Sequence, residues 1–239
     1  MLGSKRLEGK RTLITGAGGG LGLAIAQRFD QEGARVAICD IDETALAEAR
    51  RRHPDWVCMR SDVSDEDAVQ AMFDRLQSEF GGLDVLVNNA GIAGPTAPIE
   101  SIRTRQWQSV FDVNVLGAFF CTRLAAPMLK VQGGAVVIMS SIAGRLGVPF
   151  RTPYVAAKFA LVGLTKSLAL ELGPYKIRVN AILPGLTSGD RLDGVIRARA
   201  ATLGRTFEEQ RALEVQCTAL GEMGEPTDIA NAALYLSCD

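Results

Sequence analysis

Thr15-Gly16-Ala17-Gly18-Gly19-Gly20-Leu21-Gly22 is the stretch on which the fold turns. It follows the apolar run Arg11-Thr12-Leu13-Ile14-Thr15 and opens a helical pattern beginning at Leu21. A strand, a glycine turn and a helix in that order form the context in which closely spaced glycines cradle a dinucleotide. Gly16 allows the tight turn, Gly20 allows the backbone to approach a pyrophosphate, and Gly22 lets helix pack against strand. The N–H groups at the helix N-terminus then face the anion. A P-loop is excluded, because no Gly-Lys-Ser/Thr follows. The plainer alternative is a glycine-rich loop that merely joins strand to helix.

Working outward, short apolar runs alternate with longer helical patterns. Strands are predicted over 11–15, 35–39, 57–60, 85–88, 135–139 and 178–182, and helices over 21–32, 44–52, 65–80, 105–130, 153–172 and 226–236. Most strands are nearly continuous in apolar residues, as in a parallel sheet covered on both faces. Asp42 or Glu43 begins the second helix, Ser64 caps the third, and Gly33 and Gly81-Gly82 fall where helices end. Right-handed crossovers then give a single Rossmann-type α/β domain over 1–239, a doubly wound parallel sheet flanked by helices on both faces, with ligands beyond the strand C-termini. Residues 186–221 break the rhythm and read as a substrate lid.

The bulk composition excludes several classes. At 47% hydrophobic and 22% charged, the chain can bury a substantial core. A formal net charge of -1 removes the electrostatic footprint of a nucleic-acid binder. Cys39, Cys58, Cys121, Cys217 and Cys238 are scattered, with no Cys-x-x-Cys and no histidine at ligand spacing. They read as reduced cysteines, with no metal site and no disulfide framework. The first ten residues lack an apolar signal-peptide core, and no apolar run approaches the roughly 18 residues of a membrane span. The expectation is a soluble, cytoplasmic protein. The chain stops at Asp239 right after a helical pattern, so either the sequence is incomplete or a closing element is missing.

Two further features suggest chemistry. Asp40 ends the second strand, 24 positions after Gly16. A carboxylate there bonds the adenosine ribose hydroxyls and repels a 2′-phosphate, selecting NAD over NADP. The other reading of Asp40 is a helix cap, a task that suits Asp42 better. Tyr154 and Lys158 are four residues apart, which on a helix places phenol and ammonium on one face. A free tyrosine, with a pKa near ~10, is a poor base at neutral pH until a neighbouring cation favours its phenolate. Phenol, fixed cation and nicotinamide together describe hydride transfer at a carbonyl carbon.

These residues, with Asp62-Val63 after the third strand, Asn88-Asn89-Ala90-Gly91 after the fourth, Asn114 in the long helix, Ser141 after the fifth strand and Pro184-Gly185 after the sixth, occur in one order along the chain. From Leu7 to Asp239 the chain resembles the single-domain short-chain dehydrogenases/reductases. The resemblance implies NAD-dependent interconversion of a secondary alcohol and a ketone, with Tyr154 as general acid/base. It implies that Lys158 lowers the Tyr154 pKa and bonds the nicotinamide ribose, that Ser141 holds the substrate oxygen, and that Asn114 holds a relay water. Ser140 competes with Ser141, which stands 13 residues before Tyr154, the family's usual spacing. For Asn114 the alternative is a buried helix asparagine satisfied by backbone. The implied cofactor contacts are Gly16, Gly18, Gly19, Gly20, Leu21, Gly22, Asp40, Ile41, Asp62, Val63, Asn89, Ala90, Gly91, Tyr154, Lys158, Pro184, Gly185 and Thr187. Asn88 would shape the pocket floor with Gly91. The family's threonine four residues after Gly185 is absent, since Gly189 stands there. A homotetramer, or a homodimer, follows from the same resemblance, with the helices carrying Asn114 and Tyr154 packing between subunits; Phe159, Val162, Leu164 and Leu168 permit this.

Other readings stay open. A non-catalytic NAD-binding sensor or scaffold would not need a complete Ser-Tyr-Lys set, and a related epimerase or dehydratase would need a larger substrate domain. His53, the only histidine, and Trp56 and Trp107 read as capping or packing residues. Ile92, Ala93, Val148, Pro149 and Leu186 suggest an apolar pocket wall. Arg145, Arg151 and the lid arginines could recognise an anion, but the interleaved acids favour solvated, self-paired surfaces.

Overall fold

The structure is a computed structural model that describes residues 5–238. Residues 1–4 and Asp239, where the readings of the two chain ends fall, lie outside the described residues. Six strands form one parallel sheet in the order β3-β2-β1-β4-β5-β6. They are β1 (Arg11–Thr15), β2 (Arg35–Asp40), β3 (Val57–Arg60), β4 (Val85–Asn88), β5 (Gly134–Met139) and β6 (Ile177–Ile182). The helices are α1 (Gly20–Gln31), α2 (Glu43–Arg52), α3 (Glu66–Phe80), α4 (Thr104–Phe111), α5 (Gly117–Leu129), α6 (Thr152–Leu172), α7 (Asp190–Leu203), α8 (Phe207–Gln216) and α9 (Pro226–Ser237).

The uninterrupted apolar strands have a direct cause. Side chains alternate in direction along a strand, so an all-apolar strand needs a core on each face. Leu13, Ala37, Leu86, Val136 and Ile138 face a cluster built with α3, α5 and α6. Ile14, Val36, Ile38, Val87 and Val137 face the opposite cluster, built with α1, α2 and α9. Strand order reverses between β1 and β4, and a sheet of this kind opens a crevice there beyond the strand C-termini.

Local differences from the sequence reading have physical reasons. Helix α3 is capped by Asp65, whose carboxylate accepts from the N–H groups of Asp67 and Ala68. Ser64 is instead held by Asp62, which accepts from its N–H and hydroxyl at 2.9 and 2.7 Å. The predicted 105–130 helix is interrupted by a π-helical segment over Asp112–Leu116, where Gly117 N–H reaches back to the Asp112 carbonyl. Thr104–Leu129 is, by length and composition, apolar enough to cross a membrane, contrary to the expectation from uninterrupted runs. In this fold one side of it packs against α3, β4, β5 and α6, and 39% of its most apolar window is buried. Leu164 and Leu168 likewise pack on the core, leaving Phe159 as the exposed aromatic of the predicted α6 stripe.

Candidate active site

The glycine turn is shaped by contacts no side chain could share. Gly16 has φ +60°, and a Cβ there would lie 2.7 Å from the Ala90 Cα. A Cβ on Gly22 would collide with the Gly16 carbonyl and lie 2.6 Å from Asn89 Nδ2. Gly19 and Gly20, by contrast, face open space at the start of α1. That helix start has no side-chain cap and no acidic residue in its first turn. Orphan N–H groups, a positive helix end and clear space suit a dinucleotide pyrophosphate. Leu21 follows in the same helical turn.

Asp40 braces the turn from the side, its Oδ2 accepting from Gly18 N–H at 2.8 Å and its Oδ1 from Asp42 N–H at 3.1 Å. Asp42, not Asp40, caps α2. Ile41 beside it is exposed, while Val63 is buried where a Cβ on Gly117 would touch it. Asn89 staples β4 to the turn, Nδ2 donating to the carbonyls of Thr15 at 2.9 Å and Gly16 at 2.8 Å. The N–H groups of Asn89 and Ala90 both donate to Thr15 Oγ1 at 3.0 Å. Asn89 therefore shapes the cradle with an amide that is already engaged. Asn88 is buried and donates to Thr122 Oγ1 at 2.8 Å.

Gly91 lets Asn114 come close: a Cβ there would meet Asn114 Oδ1 at 2.8 Å and lie 3.8 Å from Lys158 Nζ. The Asn114 amide is satisfied at both ends by Ile92, accepting from its N–H at 2.7 Å and donating to its carbonyl at 3.1 Å. This is the backbone bonding of the alternative reading, and it uses one acceptor and one donor position of an amide that has two of each.

Tyr154 and Lys158 share one face of α6, and Lys158 Nζ lies 5.5 Å from the centroid of the Tyr154 ring. Lys158 is 3% exposed and donates to the Met139 carbonyl at the end of β5 at 2.7 Å. Burial, with Arg191 adding repulsion, lowers its pKa to about 7. The two serines separate clearly. Ser140 is buried, and its hydroxyl donates to the Lys158 carbonyl at 2.8 Å. Ser141 is half-buried at the start of the turn Ile142–Gly144, with its Oγ accepting from Ala143 N–H at 3.2 Å. No acceptor among the described residues takes its hydroxyl proton. Gly144 permits this turn to sit on α6, since a Cβ would lie 2.7 Å from the Lys158 carbonyl.

Pro184, at the end of β6, accepts from Ile142 N–H at 2.9 Å. Leu186, Thr187 and Ser188 are tied to Gly224 by a bridge and two backbone bonds of 2.9 Å, so the segment expected to be a lid is anchored at its base. Of the expected apolar wall, Val148 and Pro149 line an open cavity of about 560 Å³ with Trp107 and Val155. Ile92, Ala93 and Leu186 do not line it.

Glycine cradle, strand-end carboxylate and Tyr-Lys pair thus converge beyond the C-terminal edge of one parallel sheet. Residues 16–239 match the family model described as enoyl-(acyl carrier protein) reductase. The chain belongs to the short-chain dehydrogenase/reductase family. This short-chain dehydrogenase/reductase is 37% identical over 244 residues to a 3alpha-hydroxysteroid dehydrogenase of Mediterraneibacter gnavus, covering 98% of this chain and 91% of that one. It is also 37% identical over 235 residues to a galactitol 2-dehydrogenase of Agrobacterium fabrum, covering 97% and 91%. A crystal structure of NAD+-bound xylitol dehydrogenase superposes with TM-score 0.94 at 31% identity, covering 98% of this chain and 94% of that one. The family uses nicotinamide cofactors, and these relatives act on unlike alcohols, so family membership leaves the substrate to the site.

Proposed function

We propose that the protein interconverts a secondary alcohol and a ketone with NAD, using Tyr154 as general acid/base. The observation that carries this reading is the buried Lys158 ammonium held one helical turn from Tyr154 by the Met139 carbonyl. Bound NAD would supply the hydride acceptor, held by the glycine turn, by Asp40 and Ile41, by Asp62 and Val63 and by Ala90 and Gly91, with Pro184, Gly185 and Thr187 near its carboxamide. Tyr154 takes the hydroxyl proton in oxidation and returns it in reduction. Ser141 donates to the substrate oxygen, stabilising charge that develops there. Lys158 has donors left after its bond to Met139, and its lowered pKa lets it pass a proton on near neutrality. Asn114 fixes the Gly91–Ile92 backbone beside Lys158.

Asp40 supports NAD over NADP. No lysine or arginine lies in the glycine turn or immediately after Asp40 to receive a 2′-phosphate. The exposed Leu116, Phe119 and Phe159 support association of copies through α5 and α6. A cytoplasmic location fits the free cysteines, three of them buried.

The test is a panel of secondary alcohols with NAD or NADP, following reduced-nicotinamide absorbance in the wild-type protein and in Asp40→Ala. The expected result is turnover with NAD and a preference that weakens in the variant. Tight NAD binding without turnover of any alcohol or matching ketone would favour the sensor alternative.

A further inference from the structure

Arg151 is the residue the mechanism leaves unexplained. It immediately precedes α6, three positions before Tyr154, and is only 5% exposed. Its guanidinium lies over the Tyr154 ring, 4.7 Å from the centroid, and donates to Thr96 Oγ1 at 3.2 Å. No carboxylate among the described residues pairs with it. A buried arginine normally has such a partner, because an uncompensated charge away from water is costly.

The surroundings make the charge harder to hold. Arg151 stands at the N-terminal end of α6, where the helix dipole is positive and favours anions over cations. Burial pushes its pKa below the ordinary value; the Tyr154 phenol opposes this, while Arg191 and Arg199 add to it. Arg199 is paired with Glu214 at 2.6 Å, but Arg191, at the exposed start of α7, has no ion pair among the described residues. The solvated, self-paired reading of these arginines therefore holds for Arg199, which is paired, and for Arg191, which is exposed, and fails for the buried Arg151.

The backbone holds Arg151 in place. Phe150 adopts φ 65°, a left-handed conformation disfavoured for an aromatic residue, and its carbonyl accepts from Ala97 N–H at 3.0 Å. The Thr202 hydroxyl of α7 donates to the Ala198 carbonyl at 2.9 Å and lies 3.4 Å from the Thr96 carbonyl, which brings α7 against this loop. The loop after β4, α7 and the start of α6 thus meet at the guanidinium, against the proposed catalytic phenol.

We propose that Arg151 seats an anionic group of the substrate, so that the physiological alcohol is a short hydroxy acid or hydroxy phosphate whose charge lies a few bonds from the carbinol carbon. This rests on the oxidoreductase reading above. An anion there supplies the missing counter-charge, accepts guanidinium donors beyond the one given to Thr96, and fixes the carbinol carbon relative to Tyr154.

The experiment uses matched probes differing in charge: 3-hydroxybutanoate against 3-hydroxybutanamide, and glycerol 3-phosphate against glycerol. With NAD, kcat/KM for one charged member exceeds its neutral partner by about 10- to 100-fold, the worth of a charge-assisted bond. Whichever pair responds identifies carboxylate or phosphate. In Arg151→Gln the charged probe loses more than its neutral partner, so the ratio collapses toward one; it is partly restored in Arg151→Lys and falls less in Arg191→Gln. Ratios near one in the wild-type protein overturn the proposal. So does an Arg151→Gln variant that slows charged and neutral probes alike, which would make Arg151 a positioning residue for Tyr154. If Arg151→Gln does not fold, the ratios in wild type and Arg191→Gln decide. If none of these four probes is oxidised, the alcohol panel above decides the oxidoreductase reading separately and the seat is read by thermal shift. Stabilisation by 3-hydroxybutanoate or glycerol 3-phosphate but not by the neutral partner, reduced in Arg191→Gln, supports it; equal shifts overturn it.

Discussion

Replacing Lys158 by methionine changes how stability depends on pH, and the direction follows from its burial. The folded-state pKa, about 7, lies below the ordinary lysine value of 10.5. Below pH 7 the amine is charged in both states, so the folded state bears the full cost of burying the charge. Between pH 7 and 10.5 the unfolded chain carries an extra proton, and stability rises with pH. At 1.36 kcal/mol per pKa unit the full cost is about 5 kcal/mol, of which roughly 2 to 3 kcal/mol is relieved between pH 6 and pH 9. Methionine removes the titration and also the bond to the Met139 carbonyl, which a neutral amine donates more weakly than the ammonium, so losing that bond trims the difference rather than adding to it. Urea unfolding of the cofactor-free wild type and Lys158→Met at pH 6, 7, 8 and 9 isolates the effect. Wild type should gain roughly 2 to 3 kcal/mol on the variant across that range. Parallel profiles would refute the reasoning, showing that Lys158 is either solvated or already paired.

Two other predictions concern the cradle and the serines. Gly22→Ala forces a methyl against the Gly16 carbonyl and Asn89, so it should cost about 1 to 3 kcal/mol of stability and weaken NAD binding at least as strongly, measured by calorimetry. Ser141→Ala should lower kcat about 100-fold or more with little change in stability. Ser140→Ala should do the reverse, costing about 1 kcal/mol through its bond to the Lys158 carbonyl while kcat changes only a few-fold.

The parts of this molecule legible in its sequence are those set by local physics. Strands buried on both faces read as continuous apolar runs, so β1 and β4 matched to the residue. The glycine turn was legible because Gly16 and Gly22 occupy positions where a Cβ has no room. What escaped depended on which partner each residue finds, near or far, which the pattern of residue types does not show. Ser64 looked like a cap until Asp62 claimed it, and the apolar run 105–130 concealed the π segment over Asp112–Leu116. Asn89 matches a cofactor motif, and what the motif did not show is that its Nδ2 also binds carbonyls more than 70 positions away. Arg151 sits in a chain with nearly balanced charges, and only the packing of the β4 loop, α6 and α7 shows that no acid reaches it.

The most direct test of the account is NAD-dependent alcohol oxidation by Tyr154→Phe, with NAD affinity measured in the same preparation. Removing one oxygen from the general acid/base should lower kcat by about 100- to 10,000-fold and leave NAD binding within a few-fold of wild type. Turnover that persists at the wild-type rate in Tyr154→Phe would contradict the assignment of Tyr154 and, with it, the mechanism.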